Sequence, residues 1–287
     1  MATASEDKNA NGDANKTVIH LVLQGKGGVG KSVVASWLAE YLIKRGKNVR
    51  CIDGDPVNRS LAQYKALNAE KLGLVSQEGL VVRARYDALV QRFATEEGVF
   101  VMDSGATAFL PFWSYIVESE MVRVLRDAGR KLYVHCVISG GEMLTDTLLG
   151  FETLAQSTPD KNVVVWINEY FGPVSRDGKA LDQVTVFQAH TNRMLGSIGI
   201  PQRSPDTFGE SIQLMRTKKL TFDEAIQSEE FMLVQKSRLY IVQRELFEQL
   251  DKLPLKAMMP DYSLQLIVSS SRSGTQSSSP HGLITCA

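Results

Sequence analysis

Eight consecutive residues, Gly25-Lys26-Gly27-Gly28-Val29-Gly30-Lys31-Ser32, place four glycines beside two lysines and a hydroxyl. Glycine lets successive backbone N–H groups close on an anion with no side chains in the way. The spacing fits two chemistries. Gly25, Gly27 and Gly30 match G-x-G-x-x-G, a dinucleotide fingerprint, and Asp53 lies near the distance expected of a ribose-binding acid. Gly25, Gly30, Lys31 and Ser32 also match G-x-x-x-x-G-K-S/T, the phosphate-binding P-loop. The Lys-Ser pair separates the two. Phosphoryl transfer needs a lysine at the β- and γ-phosphate oxygens and a hydroxyl on Mg2+, and hydride transfer needs neither there. The expectation is a Mg2+-bound nucleoside triphosphate held along Gly25 to Val33, with Lys31 on the phosphates and Ser32 on the metal.

Three carboxylates extend this reading. Asp53 and Asp55, in Cys51-Ile52-Asp53-Gly54-Asp55-Pro56, are spaced to point the same way from an extended segment. One could hold metal-bound water while the other orients the attacking water; the plain alternative is two turn residues before Pro56. Asp103 follows the apolar run Val99-Phe100-Val101-Met102, which is how a Walker B carboxylate is presented to Mg2+.

Such residues need elements to aim them. Continuous apolar runs at 17–24, 48–53, 98–103, 131–138 and 162–167 read as strands. Helix-length segments lie at 32–45, 84–96, 114–128, 142–156 and 181–195, and 229–252 reads as an amphipathic helix. In the first helix Val34, Trp37, Leu38, Tyr41 and Leu42 recur at helical spacing, and Gly46 stops it. Strands alternating with helices predict an α/β fold, a mostly parallel twisted sheet with helices on both faces, in one domain over 17–255. Ligands in such sheets bind at the carboxyl ends of the strands, where the glycine-rich turn and all three aspartates fall. Residues 1–16 read as a flexible polar leader, and 256–287, with SSSRSGTQSSS at 269–279, as a flexible Ser-rich tail.

Composition removes several classes. The 287 residues carry 32 basic and 32 acidic side chains, which argues against a uniformly basic nucleic-acid coat. Cys51, Cys136 and Cys286 are too few and too far apart for a zinc ribbon or a four-cysteine iron–sulfur site, and they fit a reducing cytoplasm. No apolar run reaches the ~20 residues that cross a bilayer. His20, His135, His190 and His281 lack metal-ligand spacing, and His20 and His135 lie within strands, where a satisfied core histidine is expected. A G-x-S-x-G nucleophile elbow is absent.

Taken together, Lys26-Gly27-Gly28-Val29-Gly30-Lys31-Ser32 resembles the deviant Walker A box of the ParA/MinD family of ATPases. Asp53-Gly54-Asp55-Pro56 is similar to its switch I, and Asp103-Ser104-Gly105-Ala106 sits where its Walker B and switch II lie. Within that family the chain looks most like the plasmid conjugal-transfer TraL and plasmid-stability StbB groups, over about residues 17–228, through LVLQGKGGVGKS, CIDGDPVN, YKALN, VVWINEYFGP and LTFDEA. The resemblance implies a P-loop NTPase fold, ATP and Mg2+ as ligands, weak ATPase activity and a homodimer formed on ATP binding. It further implies that Lys26 reaches across the dimer to the partner's ATP, that Asp55 positions the hydrolytic water, and that Asp53 and Asp103 stand around the metal. Asn168 matches an asparagine that reads adenine, with a strand-end cap as the plain alternative, and Pro201 falls where a loop flanks the base. One departure is clear: many relatives continue D-x-x-P after Walker B, whereas here Pro111 comes later.

Partner surfaces are less defined. AFLPFWSYI at 108–116 is either core or a nucleotide-responsive interface, with core the commoner fate. Arg123, Arg126, Arg130 and Lys131, and again Arg216, Lys218 and Lys219, are candidate non-specific DNA contacts or solvated helix faces. The implied partners are a plasmid-encoded DNA-binding or conjugation protein and non-specific DNA when dimeric, without direct membrane contact. The rival function is a nucleotide-binding adaptor that does not hydrolyse.

Overall fold

A computed structural model describes residues 17–73 and 82–255. The expected leader and tail lie outside the described residues. In chain order the elements are β1 (Val18–Leu23), α1 (Lys31–Lys44), β2 (Val49–Gly54), β3 (Glu70–Lys71), α2 (Ala84–Thr95), β4 (Val99–Ser104), α3 (Ala106–Glu118), α4 (Met121–Asp127) and β5 (Lys131–Ser139). There follow α5 (Leu144–Ser157), β6 (Val163–Asn168), the short hairpin β7 (Ser175–Arg176) and β8 (Lys179–Ala180), and α6 (Thr185–Ala189). The last are β9 (Met194–Ile200), α7 (Glu210–Thr217), α8 (Phe222–Gln227) and α9 (Leu233–Lys252).

Seven strands form one parallel sheet in the order β3-β2-β4-β1-β5-β6-β9. Every parallel connection must cross over, so helices cover both faces and the strands are apolar on both. Strand residues alternate accordingly. Val18 and Val22 of β1 pack with Trp37, Leu38 and Tyr41 of α1 and with Leu239, Leu246 and Leu250 of α9. Ile19, Leu21 and Leu23 pack with Phe93, Phe112, Trp113, Phe151 and Leu154 on the other face. The 108–116 stretch lies in α3 and is mostly core: Phe109, Phe112, Trp113, Tyr115 and Ile116 are buried and Leu110 is exposed. Among the described residues no helix is long and apolar enough to cross a membrane.

The five strands expected from apolar runs are all present, and two more join them. β3 is only two residues long, too short to show a pattern. β9 carries Gly196 and Gly199 and buries little beyond Ile198, so it lacks a continuous apolar signature. A Cβ at Gly196 would stand 2.4 Å from the Leu253 side chain, so that glycine serves close packing. The helix expected over 181–195 is instead α6 flanked by single 3-10 turns, running into β9. The helix expected over 114–128 begins at Ala106 and divides in two. Pro111 is tolerated inside α3, and Glu120, in a left-handed conformation (φ 50°), makes the break.

One row of polar rings crosses the first face. The Trp166 Nε1–H donates to His135 Nδ1 at 3.0 Å, which leaves the proton of the neutral His135 on Nε2. That nitrogen lies 2.9 Å from His20 Nδ1. His20 Nε2 then has no partner although it is buried, so the expectation of satisfied core histidines holds for His135 and not for His20. Burial lowers the His20 pKa to about 3, and burial with His20 beside it lowers that of His135. For these two rings the unfolded chain therefore binds more protons than the folded one below the ordinary pKa of 6.5, and their contribution to stability falls as pH drops from about 6.5 towards 3. The Asp103 and Glu40 carboxyls, raised by burial to about 7, act in the opposite sense. Across this range the urea midpoint of the wild type should fall relative to that of His20→Leu.

Candidate functional site

The sheet brings the expected residues to one edge. The glycine-rich turn leaves the carboxyl end of β1, and Asp53 and Asp103 sit at the corresponding ends of β2 and β4. Register makes this strict: Asp103 is level with Val22 of β1 on one side and with Asp53 on the other. The turn needs its glycines where the backbone is left-handed, at Gly28 (φ 79°) and Gly30 (φ 101°). Gly30 directly precedes α1, so the turn delivers its N–H groups to the amino end of a 14-residue helix, the end that attracts anions.

Lys31 is buried, and its Nζ donates to the Lys26 carbonyl at 2.9 Å, folded back over the turn. Burial lowers its pKa, while Asp103 and Asp55 oppose the shift. Asp103 is the most telling group. It is 1% exposed, and neither carboxylate oxygen has a hydrogen-bond partner. Burial pushes its pKa up to about 7, the neighbouring Asp53 and Asp55 add to that, and the Ser32 hydroxyl and Lys31 pull it back. A buried carboxylate without donors, next to a hydroxyl at a helix start, is what a hydrated divalent cation would satisfy. Among the described residues no three His, Cys, Asp or Glu side chains are arranged to hold a metal alone. A Mg2+ ion here would therefore depend on Ser32, water and the phosphates, which suits its preference for few protein ligands.

Asp53 and Asp55 have different duties. Asp53 accepts from the Asp55 N–H (3.0 Å) and the Ala62 N–H (2.8 Å), so both oxygens are engaged in shaping the loop. Asp55 accepts from the Val57 N–H (2.9 Å) and from Asn58, by its N–H and its amide (both 3.2 Å). Asp55 and Asn58 line the cavity beside the turn, with Lys31 and Ser32. Asn58 was not predicted; its only sequence signal is its place three residues after Asp55. Gly105 is a second such residue: a Cβ there would meet the Asp55 carboxylate at 2.7 Å, so the start of α3 packs directly on the loop that carries Asp55. The chain has no proline at the usual place after Asp103, and Gly105 is what makes the contact possible.

Two cavities adjoin the turn. The one on the Lys31 and Ser32 side, suited to phosphates, is about 680 Å3 and is lined by Gly27, Lys31, Ser32 and Asp55. The other, about 320 Å3, lies between Trp37, Asn168, Ile200, Pro201 and α9, a size and mixture suited to a base. Asn168 is buried with both ends engaged. Its Nδ2 donates to the Val29 carbonyl (3.0 Å), and its Oδ1 accepts from the Tyr170 N–H (3.1 Å). It thus ties the end of β6 to the glycine-rich turn, and one amide hydrogen remains. Lys26 is partly exposed, its Nζ 2.6 Å from Asp146 in the first turn of α5. Of the basic clusters, Arg123 pairs with Glu120 and Asp127, Arg126 with Asp127, and Lys218 with Glu230.

Fold and site together define a P-loop nucleotide-binding protein of the parallel α/β class. The chain belongs to the CobQ/CobB/MinD/ParA nucleotide binding domain family, whose model matches residues 20–198. It is 39% identical to protein TraL of Escherichia coli over 234 residues, 81% of this chain and 97% of that one. Among solved structures it is similar to the septum site-determining protein MinD of Pyrococcus horikoshii, complexed with Mg-ADP (14% identity, 82% of this chain and 96% of that one, TM-score 0.49). It is also similar to a plasmid partition protein of Borrelia burgdorferi bound to AMPPNP (15% identity, 83% and 100%, TM-score 0.47).

The Asn168 tie can be tested on the free protein. Asn168→Asp keeps an acceptor for Tyr170 and removes the donor to Val29. Chemical denaturation should show a loss of about 1–3 kcal/mol, the cost of an unmet buried partner.

Proposed function

We propose that this chain binds Mg–ATP, hydrolyses it slowly, and uses the bound nucleotide to control pairing with a second copy of itself, serving plasmid conjugal transfer or plasmid stability in the cytoplasm. The observation that carries the reading is the donorless, buried Asp103 carboxylate beside Ser32 and Lys31, behind a left-handed glycine turn at a helix start. Similarity to TraL along nearly its whole length supports the plasmid role.

In this reading Gly25, Gly27, Gly28, Val29, Gly30 and Val33 frame the phosphates, and the Lys31 ammonium leaves the Lys26 carbonyl to meet phosphate oxygens. Ser32 would hold Mg2+ directly and Asp103 its water, while Asp53 acts from behind by fixing the loop that carries Asp55. When bound, Mg2+ would offset charge on the β- and γ-phosphates. Asp55, held by three donors from Val57 and Asn58, is preorganised to orient a water for in-line attack on the γ-phosphorus. Asn168 and Pro201 border the base, and the free amide hydrogen of Asn168 is available to adenine. Lys26 and its partner Asp146 are 40% and 50% exposed, so their ion pair contributes at most about 1 kcal/mol. A partner subunit's triphosphate can displace Asp146 and take Lys26.

Turnover of ATP, measured with Mg2+ on the full chain, should fall to background in Lys31→Ala and in Asp55→Ala. Unchanged turnover in Lys31→Ala would sink the reading, and wild-type binding without turnover would favour the adaptor. Lys26→Ala should retain ATP binding yet stay monomeric by light scattering under conditions where ATP makes the wild type dimeric.

A further inference from the structure

Arg216, in the last turn of α7, lines both cavities, as do Gln213 one turn earlier, Tyr170 and Phe171. Gly28 and Gly30 of the glycine-rich turn also border both. These residues therefore mark the junction between the space suited to a base and the space suited to a polyphosphate.

The electrostatics at that junction are incomplete. The Arg216 Nε is buried and has no hydrogen-bond partner. Its guanidinium carbon lies 5.9 Å from the Tyr170 ring centroid, a contact that orients the group without neutralising it. Lys219 lines the phosphate-side cavity with its Nζ 5.7 Å from the Tyr64 ring centroid. Burial and the charge of Arg216 both press its pKa down. Among the described residues neither cation has an ion-pair partner. The contrast with their surroundings is sharp: Lys218, between them in sequence, pairs with Glu230, and Arg203 at the mouth of the base-side cavity pairs with Glu245. Asp55 lines the same cavity, but its carboxylate is engaged by Val57 and Asn58 and forms no ion pair with either cation. Two neighbouring cations turned into a cleft, one with a buried donor unmet, are better satisfied once a further anion arrives.

We propose that Arg216, supported by Lys219, binds the phosphate chain of a nucleoside di- or triphosphate in this cleft and so selects a polyphosphate over a bare nucleoside. The proposal rests on the reading that the two cavities hold a nucleotide. A nucleotide is favoured over a nucleic-acid backbone because Arg216 lies at the junction of two cavities, where only a small ligand bridges base and phosphate spaces. Arginine suits the role, since its planar fork meets phosphate oxygens with two parallel hydrogen bonds.

The test is direct binding by the full chain to ATP, ADP and adenosine, by calorimetry, for wild type, Arg216→Gln, Arg216→Lys and Lys219→Gln, with Lys31→Ala alongside. Arg216→Gln should weaken ATP and ADP by about 10–100-fold, the scale of a hydrogen bond to a charged group, and change adenosine by less than about twofold. Lys219→Gln should have a smaller effect in the same direction, and Arg216→Lys should recover part of the loss. The melting temperature of unliganded Arg216→Gln should equal or exceed that of the wild type, because repulsion with Lys219 is removed. Wild-type affinity for ATP and ADP in Arg216→Gln, with binding lost in Lys31→Ala, would overturn this proposal and leave the nucleotide reading intact. A wild type that binds no nucleotide would overturn both. Equal losses for adenosine and ATP, or a lowered melting temperature without ligand, would make Arg216 a structural residue and overturn the proposal. Loss of binding to a short DNA duplex, with ATP affinity unchanged, would assign the site to a nucleic-acid backbone instead.

Discussion

The rest of the molecule depends on the register of three parallel strands. Asp103 on β4 lies level with Val22 on β1 and with Asp53 on β2, so two carboxylates meet beside the root of the glycine-rich turn. Side chains alternate along a strand, and a slip of one residue would turn both carboxylates away from the turn and place apolar side chains there. Burial of both sheet faces prevents that slip, because it would also reverse every core contact of β1 and β4. Packing thus enforces the site geometry.

That geometry accumulates charge the protein only partly balances. Asp103 is buried without donors, Lys31 rests on a backbone carbonyl, and Arg216 and Lys219 face the same cleft without an ion-pair partner among the described residues. Each cost would be met by one ligand: a cation beside Asp103 and phosphates beside the three basic groups. By contrast, the loops around the cleft are well satisfied. Asp53, Asp55, Asn168 and Gln24 spend their side chains on backbone groups, which makes the frame rigid and leaves its contents open.

Much of this was legible in the chain, for reasons that differ by residue. Parallel strands buried over most of their length are mostly apolar, so β1, β2, β4, β5 and β6 announced themselves. β9 did not, because two glycines interrupt it and one exists only to admit Leu253. The glycine-rich turn was visible because its backbone angles exclude other residues. Asn58 and Gly105 were invisible because their roles come from proximity to Asp55, one from three residues away and one from another strand's end. Asn168 was expected at the base; its bond to Val29 spans 139 positions, and no local pattern encodes it.

The sequence by itself determined the class of fold, the phosphate-binding turn and the family, since strand periodicity, left-handed glycines and the Lys-Ser pair are local properties of the backbone and side chains. The tertiary structure decided which charges are balanced. Two basic clusters of similar composition looked alike in the sequence. Folding pairs Arg123, Arg126 and Lys218 with acids and leaves Arg216 and Lys219 turned into the cleft. Charge neutralisation depends on distances across the fold, and those exist only once the strands are in register.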